Sequence, residues 1–186
     1  DVLCAAGTTF REALPGSMVG VRIGVPRAAT HRASAGVASS FNAAVAAFAA
    51  AGAIVQSASV PGTDDFAVAN AAGMVVSRVE AAQHHTESGT DISACTPEVR
   101  AQLEEALTVP ATDYVRCMRL RGTLRERLLS AFEDADVLAM PTSNVTAPLR
   151  SDADRYLLIL SENCIPWSFT GFPAISLFAG MDAGLP

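Results

Sequence analysis

The most distinctive candidate for chemistry is an arginine on an apolar helix face. Cys117, Arg121, Leu124, Leu128 and Phe132 are spaced by four, three, four and four residues, which places all five on one side of a helix. A guanidinium that faces a protein core is costly unless a partner compensates its charge. Two interpretations stay open: Arg121 binds a polar or anionic ligand, or it reaches outward and pairs with a local acid.

A second group of polar side chains follows an apolar segment. Thr142, Ser143 and Asn144 come directly after Val137–Met140 and Pro141. If the apolar segment is a strand, their hydroxyl and amide groups lie at its carboxyl end, where α/β proteins bind ligands. These groups suit hydrogen bonds to a polar ligand. Ordinary turn chemistry is the alternative, because Ser, Asn and Pro are common turn residues.

Other motifs that carry chemistry are missing from the sequence. It contains no GxSxG elbow, no GxGxxG motif and no P-loop. The cysteines, at positions 4, 95, 117 and 164, form no CxxC pair and lack the spacing to histidine that metal sites show. The side chains of His84 and His85 would point about 100° apart on a helix, which does not suit one metal ion. We therefore predict no metal site or cofactor within this chain, whereas the residue types alone leave a Ser–His–Asp triad open.

Composition and charge indicate a folded chain and exclude several kinds of partner. Half of the 186 residues are hydrophobic and 17% are charged, which argues against disorder. The net charge is −6 and no basic stripe is visible, so a nucleic-acid partner is not expected. No apolar run reaches the ~20 residues that span a bilayer. Isolated cysteines and the lack of a signal peptide predict a cytoplasmic protein.

Periodicity along the chain predicts an α/β fold. Val21–Val25 and the segment from residue 53 to 60 resemble strands, and the apolar spacing between Val37 and Phe48 predicts a helix that joins them. This order is typical of a right-handed crossover in a parallel sheet. Further helices are predicted from about residue 64 to His85, from Thr96 to about Leu107, from Thr112 or Asp113 to about Ala135 and from Tyr156 to Asn163, and further strands over Val137–Met140 and Pro173–Phe178. The fold class is a mainly parallel or mixed sheet flanked by helices.

Both ends of the sequence indicate one partial domain over residues 1–186. Asp1–Gly7 resembles the end of a helix closed by a glycine. Ala183–Pro186 follows directly on a predicted strand. A domain truncated in this way would leave sheet edges and apolar surface uncovered. We expect it to pair with its missing half or to self-associate as a homo-oligomer.

Several short segments, in one order along the chain, match a known family pattern. They are Arg22–Pro26, Gly52–Val55, Phe132, Asp136–Thr142, Thr170–Ser176 and Gly184–Pro186. Together they resemble the C-terminal part of the amidase-signature family, over most of this chain and less than half of a complete enzyme. The sequence departs from the family pattern at Ser168, where Asn is common, and at Phe178, where Pro is common.

The resemblance implies an enzyme whose catalytic residues lie outside this chain. Family members hydrolyse a carboxylic amide with a nucleophilic serine, a second serine in a cis peptide and a lysine. All thirteen basic residues here are arginines, so this chain cannot hold that triad. The missing N-terminal half would supply it, and this part would form one wall of the pocket for a small-molecule amide. By its distance to Phe132 and Asp136, Arg121 matches an arginine that binds substrate in members similar to the A subunit of tRNA-dependent amidotransferases. Arg121, Thr142, Ser143 and Asn144 are thus the predicted substrate-binding residues.

Two other hypotheses stay open at this point. The chain is a non-catalytic binding or scaffold subunit derived from the family, in which case its gene would start near Asp1 and a stable partner protein would exist. Alternatively, it is an unrelated α/β ligand-binding domain. A fold without strands at 137–140 and 173–178 would favour that last hypothesis.

Overall fold

The computed structural model describes residues 17–60 and 63–186. The segment Asp1–Gly7, predicted to end a helix, lies outside these residues. Within the described ranges the helices are α1 (Arg27–Thr30), α2 (Ala35–Ala50), α3 (Thr63–Glu87), α4 (Pro97–Ala106), α5 (Ala111–Leu129), α6 (Ala153–Ser161) and α7 (Ile165–Thr170), with 3-10 turns at Ile92–Ala94, Ser130–Phe132 and Arg150–Asp152.

A parallel sheet forms one layer of the fold. Strand β1 (Arg22–Pro26) lies between β2 (Ile54–Ala58) and β3 (Val137–Leu138). Ile23 is opposite Val55 on one side and Val137 on the other. Helix α2 connects β1 to β2, which are parallel neighbours. The predicted α/β class and the parallel sheet are therefore confirmed.

Local signals explain where most helices begin and end. The Ser34 hydroxyl accepts a hydrogen bond from the Val37 amide at 3.3 Å and caps α2, and Gly52 with φ 100° follows its end. Thr96 caps α4 in the same way, with Pro97 in the first turn. The predicted cap of α5 at Thr112 or Asp113 is wrong. Pro110 holds that position with no side-chain cap, because its fixed φ suits a helix start.

A helical layer of α3, α5 and α7 packs around two apolar clusters. Leu124 of α5 is buried with Ala72 and Val76 of α3 and Phe169 of α7. One turn further along α5, Leu128 is buried with Phe66 and Trp167. The stripe predicted on α5 therefore does face the core, and it directs Arg121 toward the same neighbours.

The predicted strands at 137–140 and 173–178 differ from the structure. Only Val137–Leu138 pairs with β1, at one edge of the sheet within the described ranges, and the Val137 side chain is half exposed. Residues 173–178 form no ladder, and Ile175, Leu177 and Phe178 are exposed. A strand requires a hydrogen-bonded neighbour, and the described residues place none beside this segment.

The segment after residue 172 instead crosses to helix α2. The Ser176 hydroxyl lies 3.2 Å from that of Thr142, and Gly180 packs on Ser40. The carboxylate of Asp182 fills the space that a side chain on Gly36 would need. It therefore lies at the N-terminus of α2, where the helix dipole favours a negative charge.

Helix α7 was not predicted from the sequence. Pro166 stands in its first turn, and Gly171 with φ 76° ends it in the left-handed conformation. Proline near a helix start and glycine just after its end are known signals that would have located it. In the part of the chain that the structure describes, no helix combines the length and apolarity needed to cross a bilayer.

Candidate functional site

A cavity of about 480 Å³ opens between α3, α4, α5 and α7. Its walls combine apolar side chains with six polar or charged ones. The lining residues are Gly73, Met74, Val76, Ser77, Arg78, Glu80, Gln102, Arg121, Ile165, Ser168 and Phe169. Apolar area beside convergent polar groups suits a small molecule that carries both kinds of surface.

Arg121 is the predicted site residue that lies in this cavity. Its side chain is partly buried, and its Nη2 is 3.4 Å from the place that a Cβ on Gly171 would take. Among the described residues no ion pair links Arg121 to an acid, although Arg78 pairs with Glu105 at 3.7 Å. The expected alternative, in which Arg121 pairs with a local carboxylate, is not what the described residues show.

One carboxylate, that of Glu80, lies in the cavity with Arg121 and hydrogen-bonds to a tyrosine. Glu80 lines the same cavity, and its Oε1 accepts a hydrogen bond from the Tyr114 hydroxyl at 3.1 Å. This hydrogen bond, together with desolvation, raises the pKa of Tyr114. This hydrogen bond uses one of the two oxygens of Glu80, and no ion pair joins Glu80 to Arg121 among the described residues. Arg121 is a cation suited to an anionic or carbonyl oxygen of a ligand.

Arg125, which sequence reasoning did not single out, supports the wall of the cavity. Its Nη1 donates to the carbonyl of Thr170 at 2.7 Å, and its guanidinium lies 5.0 Å from the centre of the Phe172 ring. A cation at the last carbonyls of α7 satisfies groups that the helix leaves unpaired. Arg125 lies four residues after Arg121 on the same helix face, and this spacing is the sequence signal that would have indicated it.

The structure does not bring Thr142, Ser143 and Asn144 into the cavity with Arg121. The Ser143 hydroxyl donates to the carbonyl of Val145 at 2.9 Å, in a local turn. Asn144 is 2% exposed and its amide bonds to other side chains. The Thr142 hydroxyl stays exposed beside that of Ser176. The alternative interpretation of these residues as turn and packing groups fits their observed contacts, and a substrate contact by them stays a prediction.

The cysteines and histidines of the described residues do not build a reactive centre. Burial raises the pKa of the Cys164 thiol, whose Sγ donates to the carbonyl of Thr142 at 3.2 Å. A raised pKa lowers the thiolate fraction and hence the reactivity. Across residues 17–60 and 63–186, no three His, Cys, Asp or Glu side chains are grouped as metal ligands would be.

Comparison with known proteins identifies similar sequences and structures. The family model described as Amidase matches residues 1–186. The chain is 37% identical over 76 residues to the A subunit of glutamyl-tRNA(Gln) amidotransferase from Moorella thermoacetica, covering 39% of this chain and 16% of that protein. It is 34% identical over 90 residues to fatty acid amide hydrolase of Arabidopsis thaliana, covering 41% of this chain and 14% of that protein.

Two solved structures show the same fold. One is described as a crystal structure of amidase, with a TM-score of 0.70 and 23% identity over 90% of this chain and 40% of its own. The other is a variant of the allophanate hydrolase of Kluyveromyces lactis, with a TM-score of 0.62 and 18% identity over 90% of this chain and 28% of its own. The chain thus spans less than half the length of the proteins it matches. An unrelated α/β domain is no longer a tenable interpretation.

Proposed function

This chain belongs to the Amidase family, and on that premise we propose that it is part of an amide hydrolase and forms one wall of the substrate pocket. The nucleophilic serine, the second serine and the lysine base lie in a part of the enzyme outside this chain. The lack of any lysine among the 186 residues supports this division. The catalytic part would therefore be the first partner of the described surface.

Arg121 carries the proposal. It is a partly buried cation in a cavity, it has no ion pair among the described residues, and the helix register fixes its direction. A protein rarely keeps such a charge without a partner, because desolvation disfavours it. A carbonyl or carboxylate oxygen of a bound amide would complete it. Met74, Ile165 and Phe169 would pack against the apolar part of the same small molecule.

The names of the relatives indicate different reactions. One is a subunit of an amidotransferase for glutamyl-tRNA(Gln), and another hydrolyses fatty acid amides. We propose a small-molecule carboxylic amide and a cytoplasmic enzyme without a cofactor. The free state of Cys95, Cys117 and Cys164 supports a reducing compartment.

The test compares two arginines on one helix in the full-length protein. Arg121→Met removes the proposed ligand contact, and Arg119→Met makes the same chemical change at an exposed position two residues away. Against a panel of aliphatic, aromatic and amino-acid amides, we expect the first variant to raise KM by about tenfold to a hundredfold, since a hydrogen bond to a charged group is lost. The second variant should leave KM unchanged. Equal values for both would reject the site.

A labelling experiment tests where the chemistry lies. A fluorophosphonate probe reacts with an activated serine. In the full-length protein we expect the label on a serine outside residues 1–186. A label on any serine within these residues would contradict the proposal, and a wild type that takes no label and hydrolyses no amide would favour a scaffold subunit.

A further inference from the structure

A buried asparagine joins three parts of the chain just before helix α7. Asn163 is 4% exposed. Its Nδ2 lies within hydrogen-bond distance of the carbonyl oxygens of Ala29 at 3.2 Å and Pro141 at 3.0 Å, and of Asn144 Oδ1 at 3.2 Å. One amide group therefore connects α1, the loop after β3 and the residue that precedes α7 by two positions.

The hydrogen bonds continue from Asn144 to the surface. Asn144 Nδ2 donates to Glu162 Oε2 at 3.2 Å, and the other oxygen of Glu162 accepts from Arg32 Nη1. The carbonyl of Asn144 accepts from the Ser34 amide at 2.8 Å. We call Arg32, Asn144, Glu162 and Asn163 the polar network. The Glu162 side chain is 12% exposed, so its carboxylate is largely withdrawn from water, whereas the Arg32 side chain is 51% exposed at the surface.

Helix α7 depends on contacts at both of its ends. It has six residues, and isolated helices of this length do not hold their shape in water. The network and Cys164 fix its N-terminal end, and Arg125 holds its C-terminal carbonyl at Thr170. Three residues of α7, at positions 165, 168 and 169, line the cavity that Arg121 shares.

The chemistry of the network favours positioning over stability alone. Burying a carboxylate and two amides brings a desolvation cost, and an apolar cluster of similar volume often stabilises a protein as well or better. A hydrogen-bonded set differs from such a cluster because it accepts one geometry and excludes others. In this set Asn144 Oδ1 and Nδ2, Asn163 Nδ2 and both Glu162 oxygens have partners.

We propose that Glu162 and Asn163 are positioning residues for the candidate site. They fix the start of α7 against the loop after β3 and thereby place the cavity wall formed by Ile165, Ser168 and Phe169. The inference rests on the proposed function, because it takes this cavity as the substrate site. Neither residue touches the cavity itself.

The experiment uses the full-length protein with three variants. Asn163→Leu removes the amide at similar volume, and Glu162→Gln removes the charge while it keeps the shape. Glu104→Gln makes the same change on the exposed face of α4 and serves as the control. Two quantities are measured: kcat and KM on the amide panel, and hydrogen–deuterium exchange of the backbone amides at 165–170.

We expect Asn163→Leu to speed exchange in α7 by about tenfold and to raise KM by about fivefold, with kcat within about twofold, since buried hydrogen bonds are lost at one end of the helix. Glu162→Gln should also speed exchange in α7 and raise KM. If Asn163→Leu does not fold, the result for Glu162→Gln tests the proposal in its place. Unchanged exchange in α7 overturns the proposal. Faster exchange with an unchanged KM overturns it as well, because the wall then moves without effect on binding.

The activity assay and the exchange measurement test the proposed function and this inference separately. A wild type that hydrolyses none of the amides rejects the function. The exchange measurement still decides whether the network holds α7. The control Glu104→Gln must match the wild type in both quantities.

Discussion

A pair of adjacent leucines tests the orientation of helix α5, on which the placement of Arg121 depends. Leu128 is 2% exposed between Phe66 and Trp167, whereas Leu129 is 48% exposed. Arg121 precedes Leu128 by seven residues, which is close to two helical turns, so the two side chains share a face. Leu128→Ala and Leu129→Ala make one chemical change at two positions that point about 100° apart on the helix.

The expected magnitudes follow from burial. Leu128→Ala removes three fully buried carbons, worth about 0.8 kcal/mol each on transfer, and leaves a cavity. The total loss should be about 3 kcal/mol in the free energy of unfolding, within the usual range of about 2–5 kcal/mol. Leu129→Ala should change it by less than about 1 kcal/mol, because little area is lost and alanine favours the helix.

Urea unfolding of the full-length protein, followed by the fluorescence of Trp167 and by circular dichroism, measures both variants. The wild type and the two variants should share one slope, so that midpoints compare directly. A larger loss for Leu129→Ala than for Leu128→Ala would mean that α5 is rotated by about 100°. Arg121 would then point away from the cavity, and the proposed site would fail with it.

Two further predictions concern a glycine contact and an acid-dependent ion pair. Gly73→Ala should destabilise the protein by about 1–3 kcal/mol, because the new Cβ would lie 2.5 Å from Ile165 Cγ2. Gly122→Ala, whose Cβ would have nothing within 4 Å, should stabilise it by about 0.5–1 kcal/mol. Thermal unfolding of the two variants measures both effects. The hydrogen bond from Arg22 lowers the pKa of Asp136, so the stability from this pair is present above the ordinary aspartate pKa and is lost as pH falls through the lowered one. Asp136→Asn should therefore flatten the acid side of the stability–pH curve, and an unchanged curve would contradict the assignment.

The parts of the fold that the sequence predicted are those with a local cause. Apolar spacing between Val37 and Phe48, between two segments with the pattern of strands, was enough to predict α2 and the crossover between β1 and β2. The stripe on α5 predicted the direction of Arg121 because a helix repeats every 3.6 residues whatever its partners are. Local periodicity therefore located the charged residue of the candidate site.

The predicted strand that the structure does not show depends on distant neighbours. Residues 173–178 have the apolar pattern of a strand, but a strand forms only where another strand offers hydrogen bonds, and the described residues place none there. Their exposed Ile175, Leu177 and Phe178 form a surface that another part of the enzyme or a second copy could cover. Helix α7 differs, because its signals, Pro166 and Gly171, are local, but six residues are too few to show an apolar period.

The polar residues after β3 show why residue type alone does not separate a binding group from a packing group. The sequence predicted Asn144 just after a strand, and the strand ends earlier, at Leu138. The Asn144 side chain is hydrogen-bonded to Glu162 and Asn163, residues that no local pattern connects to it. Arg121 differs, because its position is equally local but no ion pair joins it to an acid within the described residues, although Glu80 lines the same cavity. A buried polar group with all its hydrogen bonds made inside the protein has little left to offer a ligand, whereas a cation in a cavity without an ion pair favours one. Recognition by this part of the chain is therefore expected to fall on α5, with the loop after β3 acting through the position of α7.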